Sequence, residues 1–523
     1  MHALITGHED EHDRRIVLHR APRFAILDQP QTLTYRVIDP TLPQGARVAV
    51  ELRINGETVS TDQVAVGGTE TIELPISHAG KVIVELEVEE SPGELALENN
   101  VAVAEIDVVR EHLRVLLVSG EPHSGERTWR NVLKSDAAVD LVHFTILRPP
   151  EKQDGTPINE LSLIAFPTRE LFAEKIDEFD LIIFDRYQRR GVLPILYYDN
   201  VARYVREGGA VLVASGPEYA SGMSLYRTPL GSILPATPTG AIIEEPYRAG
   251  ITETGARHPV TRDLPGAEAD PPGWSQWFRL VEADVFAGDI AMHGPGERPL
   301  LVLSREQEGR VALLLSDHAW LWARNYDGGG PHGVLLRRII HWLMREPELE
   351  EEALRAESQG GDLIVERQTL ADSAPPVRLT GPAGEQTTLQ LSQDEPGLWR
   401  ATLEDAPLGL YRAEDGEFTA LAHVGPANPV EFQEVVSTTE RLAPLSEATG
   451  GATLRLGPAA APNVPRILDV AARAPASGSG WIGLRRSEAS ILKSVDRLPL
   501  FSGILGLALL VGGFALLWYR EGR

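Results

Sequence analysis

The chain of 523 residues contains no cysteine. That absence excludes disulfides, thiolate metal sites and a cysteine nucleophile together, and it suits an oxidising compartment where a stray thiol is a liability. Aromatic residues make up 6% and methionines number 4, against 38 prolines and 48 glycines, a balance of short strands and turns over long helices. Basic residues are also scarce: 49 Lys and Arg face 75 Asp and Glu, for a formal charge of -26, and no basic stripe interrupts that excess. Nucleic acid is therefore not an expected partner, since a polyanion would be repelled. At this length a single core is not sufficient, and several domains are expected.

Long apolar runs without charge are missing until the C-terminus. There, Leu498 to Tyr519, "LPLFSGILGLALLVGGFALLWY", runs 22 residues uncharged. At about 1.5 Å per helical residue this spans the roughly 30 Å hydrocarbon core of a bilayer. Trp518 and Tyr519 stand where an interfacial aromatic belt belongs, with Arg520 next. The expectation is a transmembrane helix that makes the membrane a partner. The opening residues, "MHALITGHEDEHDRR", contain no apolar h-region of a signal peptide. Arg485, Arg486, Lys493 and Arg497 precede the span against Arg520 and Arg523 after it, which places the domains in the cytoplasm by charge.

Residues 14 to 109 alternate with the two-residue period of half-buried strands, as in "QTLTYRVID" and "KVIVELEVEE", with turn signals at Asn55-Gly56 and Gly67-Gly68. An immunoglobulin-like β-sandwich is expected over 1–110. With the "ENN" of residues 98 to 100, this pattern resembles bacterial adhesion-type sandwich repeats. The period changes at Leu113: "LRVLLVSG", "FDLIIFD" and "GGAVLVASG" are continuous apolar runs of strands covered on both faces, with helical patterns between them. An α/β domain with a doubly wound parallel sheet is expected over 111–350, with a loop-rich insertion at about 217–298. Short strands return in 351–425, a second small β-sandwich. Residues 426–497 read as a stalk containing one helix, "EFQEVVSTTERLAPLSEATGG".

Ligands of an open parallel sheet bind beyond the carboxyl ends of its strands. Those ends carry Ser119 and Glu121, then Asp185, Ser215, and Ser316, Asp317 and His318. Ser215 and His318, with Asp317 or Asp185 orienting the histidine, have the residue types of a serine hydrolase. The competing reading is that acids and serines at strand ends cap the following helices. The local sequence favours the latter: a nucleophile elbow needs small residues two before and two after the serine, and here these are Val213 and Pro217. In "DHAWLWARNYDGGGPH", Trp320, Trp322 and Arg324 precede Gly328, Gly329 and Gly330, an arrangement for an aromatic wall beside a helix N-terminus that would take an anion or a partner's carboxylate; the alternative is plain packing. Residues 8 to 12, "HEDEH", match a zinc-protease pattern literally but lack a helical context, so no metal and no cofactor is expected.

The order of elements over residues 113 to 346 resembles the class I glutamine amidotransferase-like fold. That family places a cysteine at the elbow and a His-x-Glu pair after a late strand. Here Ser215 stands for the cysteine, and Ala319 and Trp320 follow His318. Taken with "SLYRTPLG", "RHPVT", "LSDHAWLWARNYDGGGPHGVLLRRIIHWLMREPELEEE" and the C-terminal span, the chain resembles a family of uncharacterised bacterial membrane proteins whose relatives carry von Willebrand factor A domains and neighbour MoxR-type ATPases. Such relatives start with transmembrane helices and this chain does not; nor does it hold a D-x-S-x-S motif. The resemblance implies an inner-membrane protein with its domains on the periplasmic side, opposite to the charge count, and envelope partners that include von Willebrand factor A proteins. The function expected is a non-catalytic, membrane-anchored binding or scaffold protein. A serine hydrolase using Ser215 and His318 is the alternative, and a glutamine amidotransferase, on the fold resemblance alone, is the third.

Overall fold

The computed structural model describes the whole chain except residues 28, 77, 111, 121, 146–166, 190, 427, 429, 459–460, 472–473, 486–492, 498–501 and 523. The chain forms two compact units, one of His12–Val435 and one of Met1–Glu11 with Val436–Arg523.

In the first unit, strands Arg15–Arg20, Gln31–Ile38 and Thr69–Leu74 form one sheet. Phe24–Ile26, Val101–Val109, Gly80–Val88, Arg47–Ile54 and Glu57–Ala65, in that lateral order, form a second. Alternate residues Leu33, Tyr35 and Val37 are buried with Val48, Val50, Val82, Val84 and Ile106 in one core, which is how a two-residue period becomes a sandwich. Asn55 and Gly56 both take left-handed backbone (φ 50° and 78°), as the tight hairpin between Ile54 and Glu57 requires.

The α/β domain follows. Its strands are β1 (Leu113–Ser119), β2 (Val139–Thr145), β3 (Leu181–Asp185), β4 (Ala210–Ala214), β5 (Gly250–Ile251), β6 (Asp289–His293), β7 (Pro299–Glu306) and β8 (Gly309–Leu314). Its helices include α1 (Ser124–Ser135), α2 (Ile195–Arg206), α3 (Ala319–Ala323) and α4 (His332–Leu343). The sheet order is β2-β1-β3-β4-β8-β7-β6-β5, parallel from β2 through β8 and antiparallel beyond. Leu116, Leu117, Ile182, Ile183, Val211, Leu212, Val311 and Ala312 are all fully buried, so both faces of these strands are covered. Each such Leu, Ile or Val side chain contributes about 1.5–3 kcal/mol on burial. The segment at 217–298 is less loop-like than its proline and glycine content predicts: it supplies β5 and β6 to the sheet edge and an antiparallel ribbon of Ala236–Ile243 with Leu280–Val285.

Two four-stranded sheets make the second sandwich. One holds Ala353–Gln359, Asp362–Gln368, Leu398–Leu403 and Ser392–Glu395; the other holds Gln386–Leu389, Val377–Thr380, Gly409–Glu414 and Thr419–Val424.

The second unit corrects two expectations. Strand Ala3–Thr6 does not enter the first sandwich but pairs in parallel with Thr453–Gly457. The helix expected over 431–451 shrinks to Ala443–Ala448, because Ser437, Thr438 and Thr439 resist helix and Pro444 is tolerated only in a first turn. Gly503–Glu521 forms an apolar helix of 19 residues with mean hydropathy 1.6 and no buried residue, long and apolar enough to cross a membrane.

Candidate functional site

Parallel pairing aligns the carboxyl ends of β1, β3, β4 and β8. Ser119 is in register with Asp185, Asp185 with Ala214, and Ala214 with Leu314. Gly120 lets the β1 turn approach β3 closely, since a Cβ there would collide with the backbone of Arg186 and Tyr187. One edge thus holds the sequence-predicted residues Ser119, Asp185, Ser215, Asp317 and His318. Glu121 lies outside the described residues.

Asp185 is fully buried. His123 caps α1: its Nδ1 accepts the Gly125 N–H at 3.1 Å, which leaves Nε2 to donate to Asp185 Oδ2 at 2.7 Å. The Ser119 hydroxyl donates to the same oxygen at 3.3 Å. Burial raises the Asp185 carboxyl above its ordinary range, against the pull of His123 and Ser119. The acid sits between serine and histidine, so this trio is not a nucleophile relay, in which the histidine must stand in the middle. Sequence reasoning missed His123; its only signal was its place just before "SGE", the slot of a helix N-cap.

Ser215 continues β4, its N–H donating to the Leu314 carbonyl at 2.8 Å. It is 2% exposed, and its hydroxyl has no hydrogen-bond partner among the described residues. His318 is engaged elsewhere: Nδ1 accepts the Phe278 N–H at 3.1 Å, and Nε2 stands 3.8 Å from Asp317 Oδ1. Burial pushes this imidazole below its ordinary value against the pull of Asp317, and Arg279 and Arg186 add to the push. The edge therefore brings serine, histidine and acid together without joining the serine to the histidine.

Charge fills the rest. Arg186, held in left-handed backbone at φ 47°, pairs with Glu218 and lies 3.4 Å from Asp317. Arg279 reaches Asp317 at 3.1 Å and Glu244 at 3.3 Å. The chain Glu218, Arg186, Asp317, Arg279, Glu244 alternates in sign, so both guanidiniums are already matched by carboxylates of the protein itself. Asp317 orients two arginines as well as its neighbouring histidine.

The expected aromatic wall divides. Trp322 is buried, its ring centroid 4.6 Å from that of Trp277 and 5.2 Å from that of Trp274, and its indole N–H donates to the Ser275 carbonyl at 3.0 Å. Gly329 belongs to the same packing: its carbonyl accepts the Ser275 N–H at 2.8 Å. Trp320 is half-buried, and the exposed Arg324 lays its guanidinium 5.3 Å from the Trp320 ring centre. Residues 8–12 form no helix, and the His8 N–H donates to the Glu11 carboxylate at 2.8 Å.

No family model matches the chain, and no curated protein does. Among solved structures, the chain is similar to Cytoplasmic Protein STM3548 of Salmonella typhimurium at 15% identity, over 44% of this chain and 99% of that one, with a TM-score of 0.33. It is similar to the CARDB domain of the PF1109 protein of Pyrococcus furiosus, a structure in complex with di-metal ions, at 20% identity over 19% of this chain and 90% of that one, TM-score 0.18. The fibronectin(III)-like modules of Clostridium thermocellum CbhA are similar at 11% identity, over 19% of this chain and 47% of that one, TM-score 0.15.

Proposed function

We propose that this chain is a membrane-anchored, non-catalytic binding or scaffold protein of a bacterial envelope, in which a degenerate class I glutamine amidotransferase-like domain serves as a binding module between two β-sandwiches. The observation that carries the reading is the separation of nucleophile from base. The Ser215 hydroxyl is buried and has no hydrogen-bond partner among the described residues, while the imidazole that would activate it receives the Phe278 N–H at Nδ1. A serine with an unperturbed hydroxyl is a weak nucleophile and needs such a base within hydrogen-bond reach. The carboxylates paired with Arg186 and Arg279 further support the reading, because both guanidiniums at this edge are already matched and not free to stabilise developing negative charge. The C-terminal apolar helix is compatible with anchoring in a membrane.

The test is chemical. Full-length protein in detergent is incubated with a fluorophosphonate probe and with p-nitrophenyl acetate. The reading expects no covalent adduct at Ser215 and no turnover above that of Ser215→Ala; an adduct at Ser215 would establish a serine hydrolase instead. The membrane side is read separately. Since the native chain has no cysteine, Ser60→Cys, at a half-buried position in the largely exposed strand Glu57–Ala65, reports to an impermeant maleimide. The periplasmic reading expects labelling of intact spheroplasts, and the cytoplasmic one expects protection that lysis removes.

A further inference from the structure

We propose that Trp320, Arg324 and Tyr326, at the two ends of a series of rings that runs through His318 and Phe278, form a docking platform for a protein segment that presents a carboxylate beside apolar side chains. This deepens the reading of the chain as a binding protein and rests on it.

The backbone holds Tyr326 out at some cost. Its neighbours Asn325 and Asp327 both take left-handed conformations (φ 55° and 45°), as do Gly328 and Gly329 (φ 89° and 71°). Asn and Asp are the non-glycine residues that enter this region most readily, which is why they flank Tyr326. The strained loop leaves the Tyr326 ring 46% exposed and edge-on to Phe278, 5.9 Å between centroids.

The angles between rings decide what fits. Tyr326 meets Phe278 at 67°, Phe278 meets His318 at 66°, and His318 meets Trp320 at 88°. Successive rings are tilted like herringbone, so they do not make the flat strip on which sugars or nucleobases stack. Edge-on rings present an uneven apolar surface with no common plane, which suits contact with protruding aliphatic side chains over stacking of a flat ring. Trp, Tyr and Arg are also the side chains that dominate binding energy at protein interfaces.

Charge selects the occupant. Arg186 and Arg279 are consumed by Glu218, Asp317 and Glu244, whereas Arg324 has no carboxylate within ion-pair distance among the described residues. One face of its guanidinium lies on Trp320 and its N–H edge is left to form the bidentate contact that suits a carboxylate. A nucleic acid would bring a row of phosphates to a single cation on a chain of charge -26, whereas a peptide brings one carboxylate. Charges farther away than about 8 Å are screened at physiological salt, so the local guanidinium outweighs the net charge.

The experiment selects a phage-displayed library of random 12-residue peptides on the full-length protein in nanodiscs. The expected winners carry Asp or Glu within a few residues of Leu, Ile, Pro or Phe. A synthetic, fluorescent winner should lose about 30-fold or more in affinity on Arg324→Glu, the loss of an interface hot spot, and about tenfold on Tyr326→Ser. Both positions are exposed, so the variants keep the fold. Selection on Arg324→Glu should turn to Lys- and Arg-bearing peptides. The proposal is overturned if no peptide is enriched, if winners bind Arg324→Glu equally well, or if soluble hexasaccharides of glucose or N-acetylglucosamine bind through Trp320 instead. Any of these results without fluorophosphonate labelling removes this surface and leaves the non-catalytic reading standing; labelling of Ser215 removes that reading as well.

Discussion

His341 sits in the last turn of α4 with its Nε2 2.7 Å from Asp136, the residue that ends α1, and its Nδ1 3.7 Å from Glu346. The Glu346 carboxylate, against the counter-pull of burial and together with Asp136, holds this imidazole above its ordinary value. A hydrogen bond between charged groups contributes about 1.5–3 kcal/mol, and a cation in a last helical turn about 0.3–1 kcal/mol more. With a fifth of the side chain exposed, solvent screening brings the expected sum to about 2 kcal/mol, a factor of roughly 30 in an opening equilibrium. His341→Gln should therefore lower hydrogen-exchange protection of α4 amides about 30-fold near pH 6. The sign with pH follows from a raised folded-state value: the contribution is full below the unfolded value of about 6.5 and is lost as pH rises through the folded value. The gap between wild type and variant should shrink to a few-fold by about pH 9, after correction for intrinsic exchange. A gap of constant size from pH 6 to 9 would refute the reasoning, since it would mean that His341 acts through shape and not charge.

Three further outcomes are expected. Ser215→Ala removes a buried hydroxyl that has no partner among the described residues, so stability to thermal unfolding should be unchanged or raised, by up to about 1 kcal/mol. Gly330→Ala would drive a Cβ into the Trp322 ring, at a cost of about 1–3 kcal/mol with a change in tryptophan fluorescence. Burial raises the Glu85 carboxyl against Arg53 and Arg412, and its Oε1 has no hydrogen-bond partner among the described residues. Glu85→Gln should therefore stabilise the chain at neutral pH, and the advantage should fade as pH falls through the raised Glu85 value and the native acid becomes neutral.

What the sequence made legible was whatever depends on neighbours along the chain. Continuous apolar runs such as "LRVLLV" and "LIIF" mark strands buried on both faces, and the alternation in "QTLTYRVI" marks one buried on one face. Strand ends therefore placed Ser119, Asp185, Ser215 and Asp317 on one edge. What it left hidden depends on partners far apart in sequence. The Phe278 N–H that engages His318 comes from 40 residues away, and Asp185 and its donor His123 are 62 apart. Trp320 and Trp322 look alike in the sequence; only the arrival of Trp274 and Trp277 buries one and leaves the other half-open.

The pairing of Ala3–Thr6 with Thr453–Gly457 carries a consequence for synthesis. Partners there are about 450 residues apart, as in the hydrogen bond between Ala452 and His2. At roughly 5–20 residues per second, strand Ala3–Thr6 waits on the order of half a minute after its own synthesis for its mate. During that interval it is an unpaired edge, open to other strands, while residues 12–435 are completed first. The entropy of closing so long a loop grows only by about 0.6 kcal/mol per doubling of its length, so the delay is one of time more than of stability. Ala3–Thr6 thus finds its place only after more than four hundred later residues have been made.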